Sequence, residues 1–485
     1  MIIRRFPGIC CCLLLSAQVA CTDSVQPPVN VLFVVADDMN TDLGAYGHPL
    51  VKTPHIDRLA ARGVLFTHAY AQYPQCNQSR ASMLTSMYPE QTKVLSLKEH
   101  FRDEVPDAVT LPQHFRRQGY FTARVGKVFH QGVPDGIGSD GLDDRVSWDV
   151  VINPRGIDRE VHDQIVSIAP PDQDNRRFGG TLSWLKLDST EKHTDQLGAD
   201  EAIRLMQENH PAKTGKPFFL ALGFYRPHTP FVAPPAWFEL YPLEQIKPIE
   251  VPPGDRENKP VAALADRRFQ ADMTDLQKRQ AIQAYYASIS FVDTQLGRVV
   301  EALNDLGLAD NTLIVFVSDH GYQLGLHGLW QKRDLFENTT RSPLIMVAPR
   351  QLTPGSRSDA LVELIDIYPT LVSLAGLDEP RSDLQGTNLQ AILAGENAPR
   401  SAAISQSWSI AHLVRPERRG LEIMGYSIRT NRYRYTEWAG GEEGIELYDY
   451  HTDPSEFQNL AMHPEYLHLV DQMKLLMQEK QQKIR

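Results

Sequence analysis

Short apolar runs alternate along the chain with longer amphipathic segments, and this alternation restricts the fold more than any other feature. The runs are rich in β-branched residues, which predicts strands buried on both faces of a sheet. They are residues 29–36, 120–125, 217–224, 312–317 and 343–347. Apolar residues at helical spacing predict helices at residues 54–62, 110–118, 201–209 and 280–306. Strands that alternate with helices indicate an α/β sheet with helices on both faces.

The C-terminal part of the chain has a different pattern. Residues 426–436 and 445–450 alternate polar with aromatic or aliphatic side chains, as antiparallel strands do, and residues 466–480 form an amphipathic helix. A chain of 485 residues exceeds what one small core accommodates. We therefore predict a catalytic α/β domain at residues 29–380 and a smaller α+β subdomain, with a small antiparallel sheet and a final helix, at residues 381–485.

The N-terminal residues have the order of a secretory signal. Arg4 and Arg5 precede an apolar stretch that is too short to span a bilayer, and small residues follow it. We predict a signal peptide at residues 1–21, alternatively of lipoprotein type with Cys21 as the lipidated residue, and a tether at residues 22–28. The protein is then expected to be exported in a bacterium, either periplasmic or anchored at the outer membrane. Membrane contact would be through a lipid anchor only.

The formal net charge of −11 is unfavourable for a nucleic-acid partner, which prefers a basic face. Net charge does not exclude a small anionic substrate, because a few cations inside a cleft dominate the field there.

Acidic residues follow two of the predicted strands. Asp37 and Asp38 come after the run 29–36, and Asp319 with His320 follows the run 312–317. Open α/β sheets place ligand sites at the carboxyl ends of their strands, and three carboxylates are the hard oxygen ligands that Ca²⁺ or Mg²⁺ prefers. Adjacent carboxylates after a strand also occur as simple turns or helix caps.

Basic side chains follow other predicted strands. Lys127 and His130 come after the run 120–125, His228 comes after the run 217–224, and Lys332 ends the segment 325–332. A Lys and a His three residues apart are, taken alone, more often surface groups than catalysts.

Cys76 is the only cysteine outside the predicted signal peptide, so the mature chain has no internal disulfide framework. A single cysteine is commonly a small buried apolar residue. This one is followed by Asn77, Gln78, Ser79 and Arg80, which are unusual neighbours for a core position.

The spacing Cys-x-x-Ser-Arg from Cys76 to Arg80, followed by residues 81–85, resembles the signature of the type I sulfatases of the alkaline-phosphatase-like superfamily. The order of the other motifs is closest to the iduronate-2-sulfatase-like branch, in which an Asp-His pair also occurs. The resemblance covers about residues 29–376, with a weaker match at 446–449. It implies a large mixed, mostly parallel sheet flanked by helices.

The resemblance also implies a mechanism. In this family the cysteine is oxidised by a maturase to formylglycine, whose hydrated form attacks the sulfur of a sulfate ester, and a histidine protonates the departing sugar oxygen. The implied catalytic residues are Cys76, Arg80, Lys127, His130, His228 and Lys332. The implied ligands of one Ca²⁺, alternatively Mg²⁺, are Asp37, Asp38, Cys76 as formylglycine, Asp319 and His320. A helix predicted at residues 79–87 would place Cys76 near a helix N-terminus, where negative charge is stabilised.

Two residues depart from the family signature. Gln78 stands where Pro or Ala is usual, within the segment that the maturase reads, and Ser86 stands where Gly is usual. The leading hypothesis is an exported sulfatase that acts on carbohydrate, specifically on a 2-O-sulfated uronate of a glycosaminoglycan or an algal polysaccharide. Two alternatives stay open: a phosphonate or phosphate ester hydrolase of the same superfamily, and a glycan-binding lipoprotein without turnover if Cys76 is not modified.

Overall fold

A computed structural model describes residue 2 and residues 28–170, 180–267, 269–349, 353–378, 380, 384–396, 400–411 and 422–484. The signal peptide and nearly all of the tether lie outside this range. No helix among the described residues is long and apolar enough to span a bilayer.

The described strands are β1 Asn30–Ala36, β2 Val64–Tyr70, β3 Phe121–Gly126, β4 Val150–Ile152, β5 Val166–Ser167, β6 Ser183–Lys186, β7 Phe218–Gly223, β8 Phe231–Ala233, β9 Thr312–Ser318, β10 Gln323–Leu324, β11 Trp330–Gln331, β12 Arg341–Val347, β13 Ser356–Glu363, β14 Ala403–Trp408, β15 Met424–Arg429, β16 Tyr433–Trp438 and β17 Ile445–Asp449.

The described α-helices are α1 Pro54–Arg62, α2 Cys76–Thr85, α3 Pro89–Thr92, α4 Phe101–Glu104, α5 Leu111–Arg117, α6 Ile157–Glu160, α7 Thr194–Glu208, α8 Pro211–Thr214, α9 Pro235–Phe238, α10 Asp275–Asp305, α11 Glu337–Thr340, α12 Ile367–Leu374, α13 Gln390–Leu393 and α14 Leu467–Ile484.

The main sheet has eight strands in the order β13-β2-β12-β9-β1-β7-β3-β4. Within it, β12 is antiparallel to both of its neighbours, β2 and β9, and the other described pairings are parallel. The large mixed, mostly parallel sheet is therefore confirmed.

Helices cover both faces of this sheet. Along β1, Leu32, Val34 and Ala36 face a core shared with α1, α7 and α10. Val31, Phe33 and Val35 face a second core shared with α2, α5 and α12. All seven residues of β1 are buried, which is why the six that follow Asn30 form an uninterrupted apolar run.

The strand register brings the polar motifs together. Ala36 is paired with Ser318, so Asp37 and Asp319 leave the sheet side by side. In the same way, Gly126 is paired with Gly223, and Lys127 follows directly beside the end of β7. The carboxyl ends of β1, β9, β3 and β7 thus form one edge, where open α/β sheets bind ligands.

At this edge, two glycines allow the backbones at the ends of β3 and β7 to approach each other closely. A Cβ atom on Gly126 would lie 2.2 Å from the carbonyl oxygen of Gly223, and one on Gly223 would lie 2.0 Å from that of Lys127. Gly126 also has φ +70°. A side chain at either position would push apart the strands that carry Lys127.

Several strands are not predicted by the spacing of apolar residues. The strands β2 and β13 were not predicted, and β13 is half exposed at the sheet edge, so it lacks an apolar run. Residues 132–194 are rich in Pro, Asp, Gly and Arg, which is typical of long loops, yet β4 joins the main sheet, and β5 and β6 form a small sheet with β8. These strands have two to four residues, too few to show a period.

The C-terminal part contains the expected small antiparallel sheet, in the order β14-β15-β16-β17. The final helix α14 packs on it, with Met473 and Met477 against Tyr435 and Leu447. The helix continues to Ile484, four residues beyond the predicted end. The domain boundary near residue 380 stays a prediction.

Candidate active site

Asp37 is fully buried between two cations at the end of β1. The Oδ1 atom lies 3.1 Å from Arg80 Nη2, and Oδ2 lies 2.6 Å from Lys127 Nζ. Burial alone would raise the pKa of Asp37, but Lys127, with His228 and Arg80, lowers it to about 2. Asp37 is therefore a carboxylate at neutral pH.

Asp38 is held in a left-handed backbone conformation, with φ 64°. The hydroxyl of Tyr285 donates to the carbonyl oxygen of Asp38 (2.7 Å) and accepts from the backbone N–H of Asn40 (2.8 Å). Between these two residues, the backbone N–H of Met39 donates to Ser318 Oγ (2.9 Å). These bonds fix the turn that directs the Asp38 carboxylate into the site.

Asp319 is the third buried carboxylate. Arg80 Nε lies 2.9 Å from its Oδ2, and its Oδ1 accepts from the backbone N–H of Asp38 (3.1 Å). Burial raises the pKa of Asp319 to about 6, although Arg80 and His320 lower it. Nearby cations thus offset the cost of burying the Asp319 carboxylate less completely than they do for Asp37.

Cys76 is the first residue of α2 and is 2 % exposed. Its Sγ lies 3.2 Å from Lys332 Nζ and 3.6 Å from Asp38 Oδ1. Burial raises the pKa of the Cys76 thiol, but Lys127 and Lys332 outweigh this effect, so the net pKa lies well below 9.0. The helix N-terminus and the two ammonium groups all favour negative charge at this position.

His320 presents a ring nitrogen to the carboxylates. Its Nδ1 lies 2.8 Å from the carbonyl oxygen of Gly321 and donates to it, so Nε2 faces Asp38 Oδ1 at 3.4 Å and Asp319 Oδ1 at 3.7 Å. Burial lowers the pKa of His320, but Asp319 outweighs it and raises the pKa to about 9. The carboxylates therefore favour positive charge here.

The residues at this point fit a divalent cation. Asp38, Cys76, Asp319 and His320 present ligand atoms that all lie within 4.8 Å of one another. Among the described residues, Asp38 Oδ2 and His320 Nε2 are buried without a hydrogen-bond partner. Buried polar atoms are nearly always satisfied, so a carboxylate oxygen and an imidazole nitrogen that converge here without a hydrogen-bond partner match the ligand set of a metal ion.

Two further histidines approach position 76. His228 Nδ1 lies 2.6 Å from the carbonyl oxygen of Thr229, and its Nε2 lies 3.7 Å from Asp38 Oδ2. Burial lowers the pKa of His130, although its contact with Cys76 raises it. Both imidazoles lie close enough to Cys76 to lower the pKa of its thiol. All ten residues predicted for the site are therefore gathered around Cys76, and the roles assigned to them stay predictions.

Two protein-family models match this chain. The model of the Sulfatase family matches residues 29–377, and that of the C-terminal part of N-sulphoglucosamine sulphohydrolase matches residues 325–483. The chain belongs to the sulfatase family. It is a sulfuric ester hydrolase with the alkaline-phosphatase-like sulfatase fold, as the sequence motifs indicate.

Relatives of this sulfatase span nearly its whole length. It is 34 % identical to iduronate 2-sulfatase from Mus musculus over 505 residues, which cover 90 % of this chain and 87 % of the relative. It is 31 % identical to a sulfatase from Formosa agariphila over 490 residues, 97 % of this chain and 90 % of the relative. The structure of a phosphonate monoester hydrolase from Silicibacter pomeroyi has a TM-score of 0.74 at 22 % identity, covering 94 % and 96 % of the chains, and shows the shared fold.

Two positioning residues of the sulfatase were missed from its sequence. Tyr285 was counted among the apolar face of its long helix, yet its hydroxyl anchors the Asp38 turn. The Ser79 hydroxyl donates to the carbonyl oxygen of Asp319. Only the Cys-x-x-Ser-Arg motif gave a signal for Ser79, and no sequence period distinguishes a hydrogen-bonding tyrosine from a packed one.

Two charged neighbours of the motifs lie outside the cluster. Arg226 pairs with the buried Asp158 at 2.6 Å, and His327 Nδ1 lies 3.1 Å from Asp255 Oδ2. Asp158 lies in α6 and Asp255 in a loop, so the two pairs hold these surrounding segments against the site motifs.

The two residues that depart from the family signature, Gln78 and Ser86, both form side-chain hydrogen bonds. Gln78 is buried, and its Nε2 donates to Gln75 Oε1 at 2.8 Å. Ser86 ends α2 with φ 56°, the left-handed conformation that glycine adopts most easily, and its hydroxyl donates to the carbonyl oxygen of Ile365 at 2.8 Å.

Proposed function

We propose that this sulfatase hydrolyses sulfate monoesters of carbohydrate, specifically a 2-O-sulfated uronate of a glycosaminoglycan or an algal polysaccharide. The observation that carries the proposal is the set of cations around Cys76: Lys127, Lys332 and Arg80, with two imidazoles beside them. A sulfate ester is an anion, and its hydrolysis requires positive charge at the sulfuryl oxygens. The relative from Mus musculus, named for iduronate 2-sulfate, supports the choice of sugar.

The nucleophile in this proposal is formylglycine made from Cys76. A maturase passes two electrons from Cys76 to an external oxidant, the sulfur leaves as sulfide, and water supplies the oxygen of the aldehyde, which then adds a second water. One hydroxyl of the hydrate attacks sulfur and displaces the sugar oxygen. The second hydroxyl loses its proton, and the sulfate leaves as the aldehyde re-forms. A thiol has no second hydroxyl, so Cys76 itself would be trapped after the first step.

The buried cations position the reacting group. Lys332 contacts both Cys76 Sγ and the Asp38 carboxylate, so it can neutralise an anion formed at position 76. Lys127 and Arg80 neutralise Asp37 from the opposite side. The proposed ligands of Ca²⁺, alternatively Mg²⁺, are Asp37, Asp38, Asp319, His320 and position 76. When bound, such a cation would supply electrostatic stabilisation of the sulfuryl oxygens.

The leaving sugar oxygen needs a proton, and His130 or His228 would donate it. Both contact the side chain at position 76, and imidazole has a pKa suited to proton transfer near neutral pH. We further propose that the sulfatase is exported by its N-terminal signal and is either periplasmic or anchored at the outer membrane by a lipid on Cys21.

The test combines mass spectrometry with a substrate panel. The sulfatase is produced with a maturase, and the peptide that carries Cys76 is expected to lose the mass difference between cysteine and formylglycine. The panel contains a 2-O-sulfated uronate disaccharide, an N-acetylhexosamine sulfate, an aryl sulfate and a phosphonate monoester. The highest kcat/KM is expected for the uronate. Activity with an unmodified thiol would refute the nucleophile, and preference for the phosphonate would refute the substrate.

A further inference from the structure

Arg333 follows Lys332, but its side chain lines a cavity beside the site. The cavity has a volume of about 740 Å³, and its wall includes Gln75, which directly precedes Cys76, together with Trp408 and Lys98. A volume in this range accommodates a small ligand. The cavity is thus lined by the chain neighbours of Cys76 and Lys332 and has room for sugar residues.

The Arg333 guanidinium has no acidic partner among the described residues. No ion pair to a described carboxylate is formed, and its Nε is buried without a hydrogen-bond acceptor. Its polar contact is the hydroxyl of Tyr73, which also accepts from the backbone N–H of Trp408 at 2.8 Å. Burial lowers the pKa of Arg333, which remains a cation at neutral pH.

The backbone holds Arg333 in an unusual conformation. Its φ is 84°, in the left-handed region that residues with a Cβ adopt rarely. The carbonyl oxygen of Arg333 accepts from Ser407 Oγ at 3.1 Å, which ties the strained residue to β14. Strain of this kind persists where the surrounding structure imposes it, commonly at ligand sites.

The other charges of the cavity leave Arg333 available. Glu99 is engaged, since its Oε2 accepts from the backbone N–H groups of Leu95 and Ser96, both at 2.6 Å. Glu422 and Lys98 are exposed, so their charges are screened by solvent. Trp408 is only partly buried and offers an aromatic surface to a sugar ring.

A uronate 2-sulfate carries its two anions on opposite sides of the pyranose ring, since C2 and C5 face each other across it. A site that binds both groups therefore needs a second cation set apart from the sulfate. We propose that Arg333 binds the uronate carboxylate and so determines specificity; this inference rests on the proposed function. A guanidinium and a carboxylate form a bidentate, hydrogen-bonded ion pair. A neutral hydroxymethyl group in place of the carboxylate cannot form it.

The experiment measures binding, so it does not depend on formylglycine. Calorimetry is performed on Cys76→Ala with a 2-O-sulfated uronate disaccharide and with the same disaccharide whose carboxylate is reduced to an alcohol. The uronate is expected to bind more tightly. Adding Arg333→Gln should weaken uronate binding by about 10- to 100-fold and leave the reduced sugar within about 3-fold, because one charged hydrogen-bonded pair is lost.

Lys213→Gln is the matched control, since Lys213 is an exposed cation on α8, away from the cavity. It should leave both affinities unchanged, and thermal melting confirms that all variants fold. If Arg333→Gln weakens both sugars equally, or neither, the assignment of Arg333 is overturned while the proposed function stands. If Cys76→Ala binds neither sugar, both proposals are overturned together.

Discussion

Two clusters in this sulfatase each combine buried carboxylates with buried basic side chains, and they differ in how completely their atoms are paired. The site cluster contains Asp37, Asp38, Arg80, Lys127, Asp319, His320 and Lys332. The junction cluster, between α11 and the C-terminal sheet, contains Glu337, Arg429, Arg434, Tyr450 and Glu456.

Every charged group of the junction cluster has its partners. Glu337 Oε1 accepts from the Tyr70 hydroxyl at 3.0 Å, and Oε2 accepts from Arg429 Nε at 3.3 Å and from Arg434. Arg434 Nε also pairs with Glu456 Oε1 at 2.8 Å. Burial raises the pKa of Glu337, but Arg429 and Arg434 outweigh it and hold the pKa well below the usual range.

The site cluster, in contrast, retains one buried atom without a hydrogen-bond partner on each of Asp38 and His320, and burial leaves the pKa of Asp319 raised to about 6. A saturated buried cluster fixes one arrangement of the chain, whereas an unsaturated one retains capacity for a ligand. Burial of charge alone therefore does not identify a site; what marks this one is that unpartnered atoms converge on buried carboxylates.

The largest expected effect comes from an isosteric change in the site cluster. Asp319→Asn keeps an acceptor for Arg80 but removes one metal-ligand charge, so kcat/KM should fall by about 10³-fold or more and bound metal should be lost. Steady-state kinetics and elemental analysis measure both. Asp310→Ala, an exposed carboxylate, is the control. Stoichiometric metal in Asp319→Asn would contradict the ligand assignment.

The equivalent change in the junction cluster should affect stability instead. Glu337→Gln leaves Arg429 and Arg434 buried without their shared counter-charge, so the free energy of unfolding should fall by about 3–5 kcal/mol. Urea denaturation measures it, and Glu442→Gln, at an exposed carboxylate, should change it by less than about 0.5 kcal/mol. The folded Glu337→Gln variant should retain kcat/KM within about 3-fold. A larger loss of activity would remove the distinction between the clusters.

Metal addition should stabilise only chains with an intact site cluster. Ca²⁺ at 100 times its Kd should raise the free energy of unfolding by about 2.7 kcal/mol in the unaltered chain. Glu337→Gln should show the same increase, and Asp319→Asn should show none. Thermal melting with Ca²⁺ and with chelator compares the three, and an equal response in all of them would place the metal elsewhere.

The smallest effect is a pH dependence in the junction cluster. The folded pKa of Glu337 is depressed, so its contribution to stability is present above the unfolded pKa of about 4.3 and is lost as pH falls toward the folded pKa. The difference in unfolding free energy between the unaltered chain and Glu337→Gln should therefore be constant from about pH 6 to 8 and shrink below about pH 4. If this free-energy difference grew on acidification, the pKa of Glu337 in the folded protein would be raised rather than lowered.

Much of the fold and the site could be predicted because local patterns specify them. The run 29–36 shows that β1 is buried on both faces, and the strand-helix alternation gives the α/β class. The motifs at Asp37, Cys76, Lys127 and Asp319 have residue types and order that resemble one family. The short strands β4 to β6 could not be found in this way, since pairing with distant strands stabilises them and periodicity does not.

The sequence by itself determined which side chains can bind an anion and a cation, and in what order they leave the sheet. Only the tertiary structure decided which of them share one point in space. The register that pairs Ala36 with Ser318 joins residues more than 280 positions apart. It makes Asp37 and Asp319 neighbours, while His327 and Arg226, equally polar in their motifs, bind carboxylates outside the cluster. Strand order and register are long-range properties of the packed sheet, and no local pattern contains them.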